Sequence, residues 1–362
     1  MKLIVIVILK SNIIITLFIL YFVFHKHNIK TIRYYYNNME NPNNEFLPWI
    51  EKYRPKNIDE IISHAQNIET IKKLLFGGAL PHLLFHGSPG TGKTSTIMAL
   101  AKEIYGINVR LMTLKLDASD DRGINSVRED IKGFAEKSNM FQKGVRLIIL
   151  DEADSMTFDA QFALRRIIEK YSTTIRFCLI CNYENKIIPA IRSRCANFRF
   201  SNIDIKHICN KLNQIADAEK IKHDMNVIET IAFLAKGDLR KAINLLQSIY
   251  MHYNGTKPIT INLCYDIAGI PTSAETDIIL STLLDKTIQF NDAYIVINQM
   301  IRMNGYSLSI VLKEIVLKIL NNEMILKDMA QVLSDLADLE NMVSKSTFGD
   351  IYITSLVGIF KK

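Results

Sequence analysis

The sequence predicts an α/β protein, in which a doubly wound parallel sheet carrying a phosphate-binding loop is followed by a helical second half. Three observations lead there. Between Leu47 and Phe200, short continuous apolar runs alternate with helix-length amphipathic segments, as expected of strands buried on both faces by crossover helices. One junction reads "GSPGTGKT", with the spacing G-x-x-x-x-G-K-[ST] between a strand and a helix. From Asn202 onward the strand-like runs stop and helical periodicity continues to the end. The expected division is a leader at 1–38, a phosphate-loop domain at 46–201, a small helical domain at 202–269 and a further helical domain at 270–362.

The leader, "MKLIVIVILKSNIIITLFILYFVF", is apolar from Leu3 to Phe24 except at Lys10, Ser11 and Asn12. It is long enough to span a bilayer, and basic residues follow it. The polar break would sit in hydrocarbon, and Met39 stands just before the first domain-like sequence. The expectation is therefore a leader absent from the working protein, with a signal anchor or organelle leader as the alternative. The net charge of +7 shrinks under the same division. Lys2, Lys10, Lys26, Lys30 and Arg33 stand in residues 1–38 with no acid; removing those five from 44 basic residues leaves 39 against 37 acidic. A globally basic nucleic-acid-binding body is excluded, and any such contact must be a local patch.

The strand "PHLLFHG" opens the sheet and delivers the loop Gly87, Ser88, Pro89, Gly90, Thr91, Gly92, Lys93, Thr94, with Ser95 beginning the helix beyond. Glycines let backbone N–H groups turn around phosphate oxygens, and the helix N-terminus adds partial positive charge. Lys93 is expected to reach the β- and γ-phosphates of ATP, and the Thr94 hydroxyl to hold Mg²⁺. "LMTLKLD" reads as a second buried strand, and the helical "DDRGINSVREDIKGFAEK" follows it.

"VRLIILD" ends in Asp151 and Glu152, which puts two carboxylates at the carboxyl edge of the sheet, beside the phosphates. Asp151 can hold Mg²⁺ through its water shell, and Glu152 can orient or deprotonate the attacking water. The letters D-E-A-D also occur in helicases, but no second sheet domain follows residue 200. "RFCLICN" ends in Asn182, placed to help position the lytic water. Its Cys178-x-x-Cys181 has no second pair at zinc spacing, and five cysteines imply no disulfide framework.

"IIPAIRSRC" then sets Arg192 and Arg194 far downstream of the loop, where an ATP-binding domain working alone has no need of them. In the helical half, Arg240 of "GDLRKAIN" is placed to close over the γ-phosphate. Leu308, Val311, Leu312, Ile315, Val316 and Ile319, and then Met329, Val332, Leu333, Leu336 and Val343, recur at helical spacing. Such stripes imply packing faces without chemistry.

Taken together, these residues resemble the AAA+ clamp-loader ATPases, specifically the small subunits of replication factor C. The match runs from about Leu47 to Gly269, and more loosely beyond. "WIEKYRP" (Trp49–Pro55), "ASDDRGI" (Ala118–Ile124), "LDEAD", "FALRR" (Phe162–Arg166, with Phe162 where the family motif has Asn) and "SRC" (Ser193–Cys195) carry it. The details "ISH", "RFCLICNY" and "IIPAIRSRC" look most like the branch numbered subunit 3 in yeast and 5 in animals. Ser88 departs from the family's usual Pro at an unconstrained loop position.

The resemblance implies an AAA+ sheet domain, a helical lid and an all-helical collar. It implies an ATPase active in a hetero-pentamer with one large and three other small subunits, loading a ring-shaped sliding clamp onto primer–template DNA in nuclear replication and repair. Tyr53, Arg54 and Pro55 would enclose adenine. Arg194 would be an arginine finger lent to the neighbouring subunit's ATP. Arg122, Arg128 and Lys132 would follow the DNA backbone, as a helix N-terminus with arginines suits phosphate without sequence specificity. Met140 and Phe141, in "NMFQKG", would dock on the clamp. The alternatives are a subunit that binds ATP but serves only as scaffold, and a different AAA+ DNA-remodelling ATPase.

Overall fold

Strands β1 (His82–Gly87), β2 (Thr113–Asp117), β3 (Arg146–Asp151), β4 (Ile175–Cys181) and β5 (Cys195–Phe200) form one sheet in the order β2-β3-β4-β1-β5. Every pairing is parallel. The computed structural model describes residues 47–76, 80–119, 123–136, 145–224, 226–253, 259–321, 329–346 and 351–361. The apolar leader and Met39 lie outside the described residues, and among those described no helix is long and apolar enough to cross a membrane. The chain divides into two compact units, Met1–Lys52 and Tyr53–Lys362. The first contributes the single-turn helix Trp49–Lys52, and the sheet and the remaining described helices belong to the second.

Alternate residues of the central strands face opposite layers. Leu84, Ile148, Leu150, Phe177, Leu179 and Cys181 pack with Ile131 of α3 (Gly123–Glu136) and with Leu164 and Ile168 of α4 (Phe158–Tyr171). Leu83, Phe85, Leu147, Ile149, Cys178 and Ile180 pack on the other face with Ile71 of α1 (Ala65–Phe76) and with Ile97 and Leu100 of α2 (Lys93–Tyr105). Coverage on both faces is why β1, β3 and β4 read as unbroken apolar runs. Cys178 and Cys181 thus lie in different layers and cannot share an ion; burial raises both thiols, Cys181 to about 12.

The "LMTLKLD" expectation needs correction. Val109–Met112 is a helical turn, the strand begins at Thr113, and β2 is an edge strand with Lys115 and Asp117 exposed. An edge strand has a neighbour on one side only, so its side chains are incompletely covered.

Among the described residues after β5 the elements are helices, apart from an isolated bridge between His223 and Ile259. Helices α5 (Ile205–Ala218), α6 (Val227–Ala235), α7 (Leu239–Tyr253) and α8 (Ile261–Ala268) bury Ile208, Leu212, Ile231, Leu246 and Ile249. Asp204 caps α5 by accepting from the Lys206 N–H at 3.1 Å. Helices α9 (Ser273–Leu284), α10 (Phe290–Asn304), α11 (Leu308–Asn321), α12 (Met329–Lys345) and α13 (Tyr352–Phe360) enclose a separate core. The α11 stripe is buried at Leu308, Val311, Leu312, Ile315 and Ile319, whereas on α12 only Leu336 and Leu339 are buried. Thr272 and Glu275 form a reciprocal capping box at the start of α9.

The sheet, by contrast, carries a pH dependence. His82 Nδ1 accepts the Phe177 N–H at 3.1 Å, and burial, reinforced by the Arg176 charge, lowers its pKa from 6.5 to about 4. The imidazole is neutral in the fold, but the unfolded chain takes up a proton below about 6.5. Stability is therefore lost as pH falls from about 6.5 toward about 4. His82→Asn keeps an acceptor for Phe177 and removes the titration, so its melting temperature is expected to fall less between pH 7.5 and 5.5 than that of the native chain. Equal falls would contradict this.

Candidate functional site

The crossover from β1 to α2 places the loop at the carboxyl edge of the sheet. Gly87 has φ +140°, and a Cβ there would stand 1.9 Å from the Phe200 carbonyl oxygen. Gly90 has φ +70°, and its Cβ would meet the Asp238 carboxylate at 1.7 Å. Both positions require glycine, the first for approach to β5 and the second for approach to the start of α7. Thr91 is buried and donates to the Ser88 carbonyl at 2.8 Å, which tightens the turn. Pro89 is exposed, Gly92 adopts φ +93° at the head of α2, and Ser95 lies in its first turn.

Lys93 is 7 % exposed. Its ammonium donates to the carbonyls of Gly87 (2.7 Å) and Ser88 (2.9 Å) and to Asn182 Oδ1 (3.1 Å). All three hydrogens are engaged, so a phosphate can be bound by exchanging loop carbonyls for phosphate oxygens without moving the stem. Burial lowers its pKa, with the acids Asp151 and Asp154 opposing and Arg240 assisting. A buried cation in a glycine cradle, held only by neutral acceptors, fits a polyanionic ligand.

Thr94 Oγ1 donates to Asp151 Oδ2 at 3.0 Å. That hydroxyl–carboxylate pair is a donor set suited to Mg²⁺ and its waters. Glu152 is exposed and takes a left-handed backbone, φ 54° and ψ 37°, which turns the chain off the end of β3. Such a conformation in a residue with a side chain costs on the order of 1 kcal/mol. Asn182 follows β4, and the register of Cys181 beside His86 brings it level with the loop. The structure thus sets two hydrogen-bonded pairs, Lys93 with Asn182 and Thr94 with Asp151, at consecutive loop positions, with Glu152 adjoining.

Several participants escape sequence reasoning. Asp154 Oδ2 accepts the N–H groups of both Asn182 and Tyr183 at 3.2 Å, fastening the end of β4; its signal was the last letter of D-E-A-D. Lys115 Nζ lies 3.4 Å from Asp151 Oδ2 across the β2–β3 pairing, and nothing local announces it. Asp238 receives the Lys241 N–H at 3.0 Å while abutting Gly90. It thereby caps the first turn of α7 beside the loop, and the charge of Arg240, in that turn, is felt at Lys93. Tyr53 donates to Glu219 Oε1 at 2.5 Å, tying the chain before the sheet to the end of α5. Burial and the Glu219 contact raise its pKa. Arg54 and Pro55, beside it, are half-buried.

Arg194 lies elsewhere. β5 runs parallel to β1 with Cys195 beside His82 and Phe200 beside Gly87. Arg194 therefore precedes the amino end of an edge strand, whereas the loop leaves the carboxyl end of β1. Those five residue steps correspond to about 16 Å along the strands. The guanidinium Nη2 lies 2.6 Å from Glu169 Oε1, and Nη1 donates to the Ala190 carbonyl at 2.7 Å. Arg192 faces Glu184 at 3.6 Å. Lys132 is exposed on α3 and 3.9 Å from Glu136. Arg122, Met140 and Phe141, and the side chain of Arg128, lie outside the described residues.

Residues 83–202 match the family model of the ATPase family associated with various cellular activities (AAA), and residues 210–251 match the RCF1/5-like AAA+ ATPase lid domain. The chain is 44% identical to a probable replication factor C subunit 5 of Dictyostelium discoideum, over 88% of this chain and 91% of that one. It is 40% identical to replication factor C subunit 3 of Saccharomyces cerevisiae, covering 89% and 95%. It is also 40% identical to replication factor C subunit 5 of Homo sapiens, covering 87% and 92%.

Proposed function

This chain belongs to the replication factor C subunit family, and from that premise we propose that its loop site binds and hydrolyses Mg²⁺–ATP within a clamp-loader complex. The observation that carries the reading is the pairing of Lys93 with Asn182 and of Thr94 with Asp151 at the carboxyl edge, with the Arg240 charge near enough to act on Lys93. The loop from Gly87 to Thr94 and Ser95 receives the phosphates, and Tyr53, Arg54 and Pro55 adjoin the adenine. Thr94 and Asp151 hold Mg²⁺, which supplies charge neutralisation at the phosphates. Glu152 takes a proton from water as its oxygen attacks the γ-phosphorus. The bond to the bridging oxygen breaks, leaving ADP and phosphate.

Arg194 stands too far from its own loop to act there, which supports a role at a neighbour's site. A complex with one large and three other small subunits supplies that neighbour. By the same symmetry, another subunit's arginine completes the site of this chain. The domain limits 46–201, 202–269 and 270–362 belong to this reading, supported by breaks between Phe200 and Ile205 and between Ala268 and Ser273. So do loading of the sliding clamp onto primer–template DNA, backbone contacts through Arg122, Arg128 and Lys132, clamp contact through Met140 and Phe141, and a nuclear site of action in replication and repair.

The test is an assembled complex in which this subunit alone carries Glu152→Gln. Its share of DNA-stimulated ATP turnover is expected to vanish while nucleotide is still bound. An unchanged rate would make the chain a nucleotide-binding scaffold instead.

A further inference from the structure

Glu169 sits in the last turn of α4, where the helix C-terminus disfavours an acid. Its partner on the same helix, Arg165, lies four residues earlier, the less favourable order for an i,i+4 pair. Helix electrostatics therefore give no reason for this carboxylate. All three side chains are between a third and a half exposed, and exposed ion pairs contribute little stability. Yet Glu169 Oε1 receives both Arg165 Nε at 3.0 Å and Arg194 Nη2 at 2.6 Å. The Ala190 carbonyl takes Arg194 Nη1. Two guanidinium nitrogens are thereby anchored. Each terminal nitrogen carries two hydrogens and Nε one, so three of the five N–H donors remain for an external anion.

We propose that Glu169, itself braced by Arg165, is a positioning residue that holds the Arg194 guanidinium ready for the neighbouring subunit's γ-phosphate. The inference rests on the reading of Arg194 as acting across the subunit junction. An arginine carries much rotamer freedom on its flexible stem, and ordering it only in the transition state would raise the barrier. Anchoring at two nitrogens settles that ordering before the subunits meet. The two flanking arginines also hold the Glu169 carboxyl below its usual range, keeping the anchor ionised near neutral pH.

The experiment uses the assembled complex with the catalytic glutamate replaced in every subunit except the one that receives Arg194. Glu169→Ala is expected to lower kcat at that site roughly tenfold, with KM for ATP changed less than twofold. Glu169→Gln, which keeps an oxygen acceptor, is expected to recover part of the loss. In an Arg194→Ala background, Glu169→Ala is expected to have no further effect. Unchanged or faster turnover in Glu169→Ala, or losses that multiply with those of Arg194→Ala, would overturn the positioning role alone. If Arg194→Ala itself left turnover intact, the cross-junction reading would fall, and this inference with it. Size-exclusion of each complex separates these outcomes from failed assembly.

Discussion

With Arg194 replaced by alanine, hydrolysis at the neighbouring subunit's site is expected to fall by about 10³-fold or more, the scale of arginine fingers in phosphoryl transfer. The argument is geometric before it is electrostatic. β5 starts level with His82 and ends level with Gly87, so a residue before Cys195 cannot reach the loop that begins at Gly87. A guanidinium at the edge of the sheet, anchored on Glu169 but with free donors, would meet a phosphate only when another chain brings it. Nucleotide affinity of this chain's own site is expected to stay within about twofold, because Arg194 takes no part in it. Single-turnover hydrolysis and equilibrium binding on the same assembled complex check both halves.

Lys93→Ala is expected to abolish tight nucleotide binding by this subunit. The ammonium is buried, and its three partners are neutral oxygens that a phosphate can replace. Removing one member of a buried, hydrogen-bonded charge pair costs about 2–5 kcal/mol, roughly 30-fold to several thousandfold in affinity. The fold should survive, because Lys93 lies at the head of α2 and the apolar layer beneath rests on Ile97 and Leu100. Titration with a fluorescent ATP analogue provides the check; affinity within threefold of the native chain would remove Lys93 from the site.

What could be read in advance divides along physical lines. The loop, Asp151 and Asn182 were legible because a βαβ unit places strand ends at one edge whatever the remaining details. The buried strands were legible because coverage on both faces leaves no polar position in "LLF", "LIIL" or "FCLI". The start of β2 is not legible, because strand order does not show in the sequence; only its place at the edge explains why Lys115 is exposed. The contacts that escaped notice all join residues distant in the chain. Asp238 against Gly90, Tyr53 with Glu219, Lys115 with Asp151 and Glu169 with Arg194 have no period or spacing that announces them. Arg192 and Arg194 looked alike in "IRSRC", and the structure separates them by partner, Glu184 for one and Glu169 for the other.

The most direct measurement compares ATP turnover by the purified solitary chain with turnover at the same site after assembly, at saturating nucleotide and with DNA present. The solitary chain is expected to bind nucleotide through Lys93 and Thr94 yet turn it over at least about 10²–10³-fold more slowly, for want of a partner's guanidinium. Full-rate turnover by the chain alone would contradict the dependence on a second subunit.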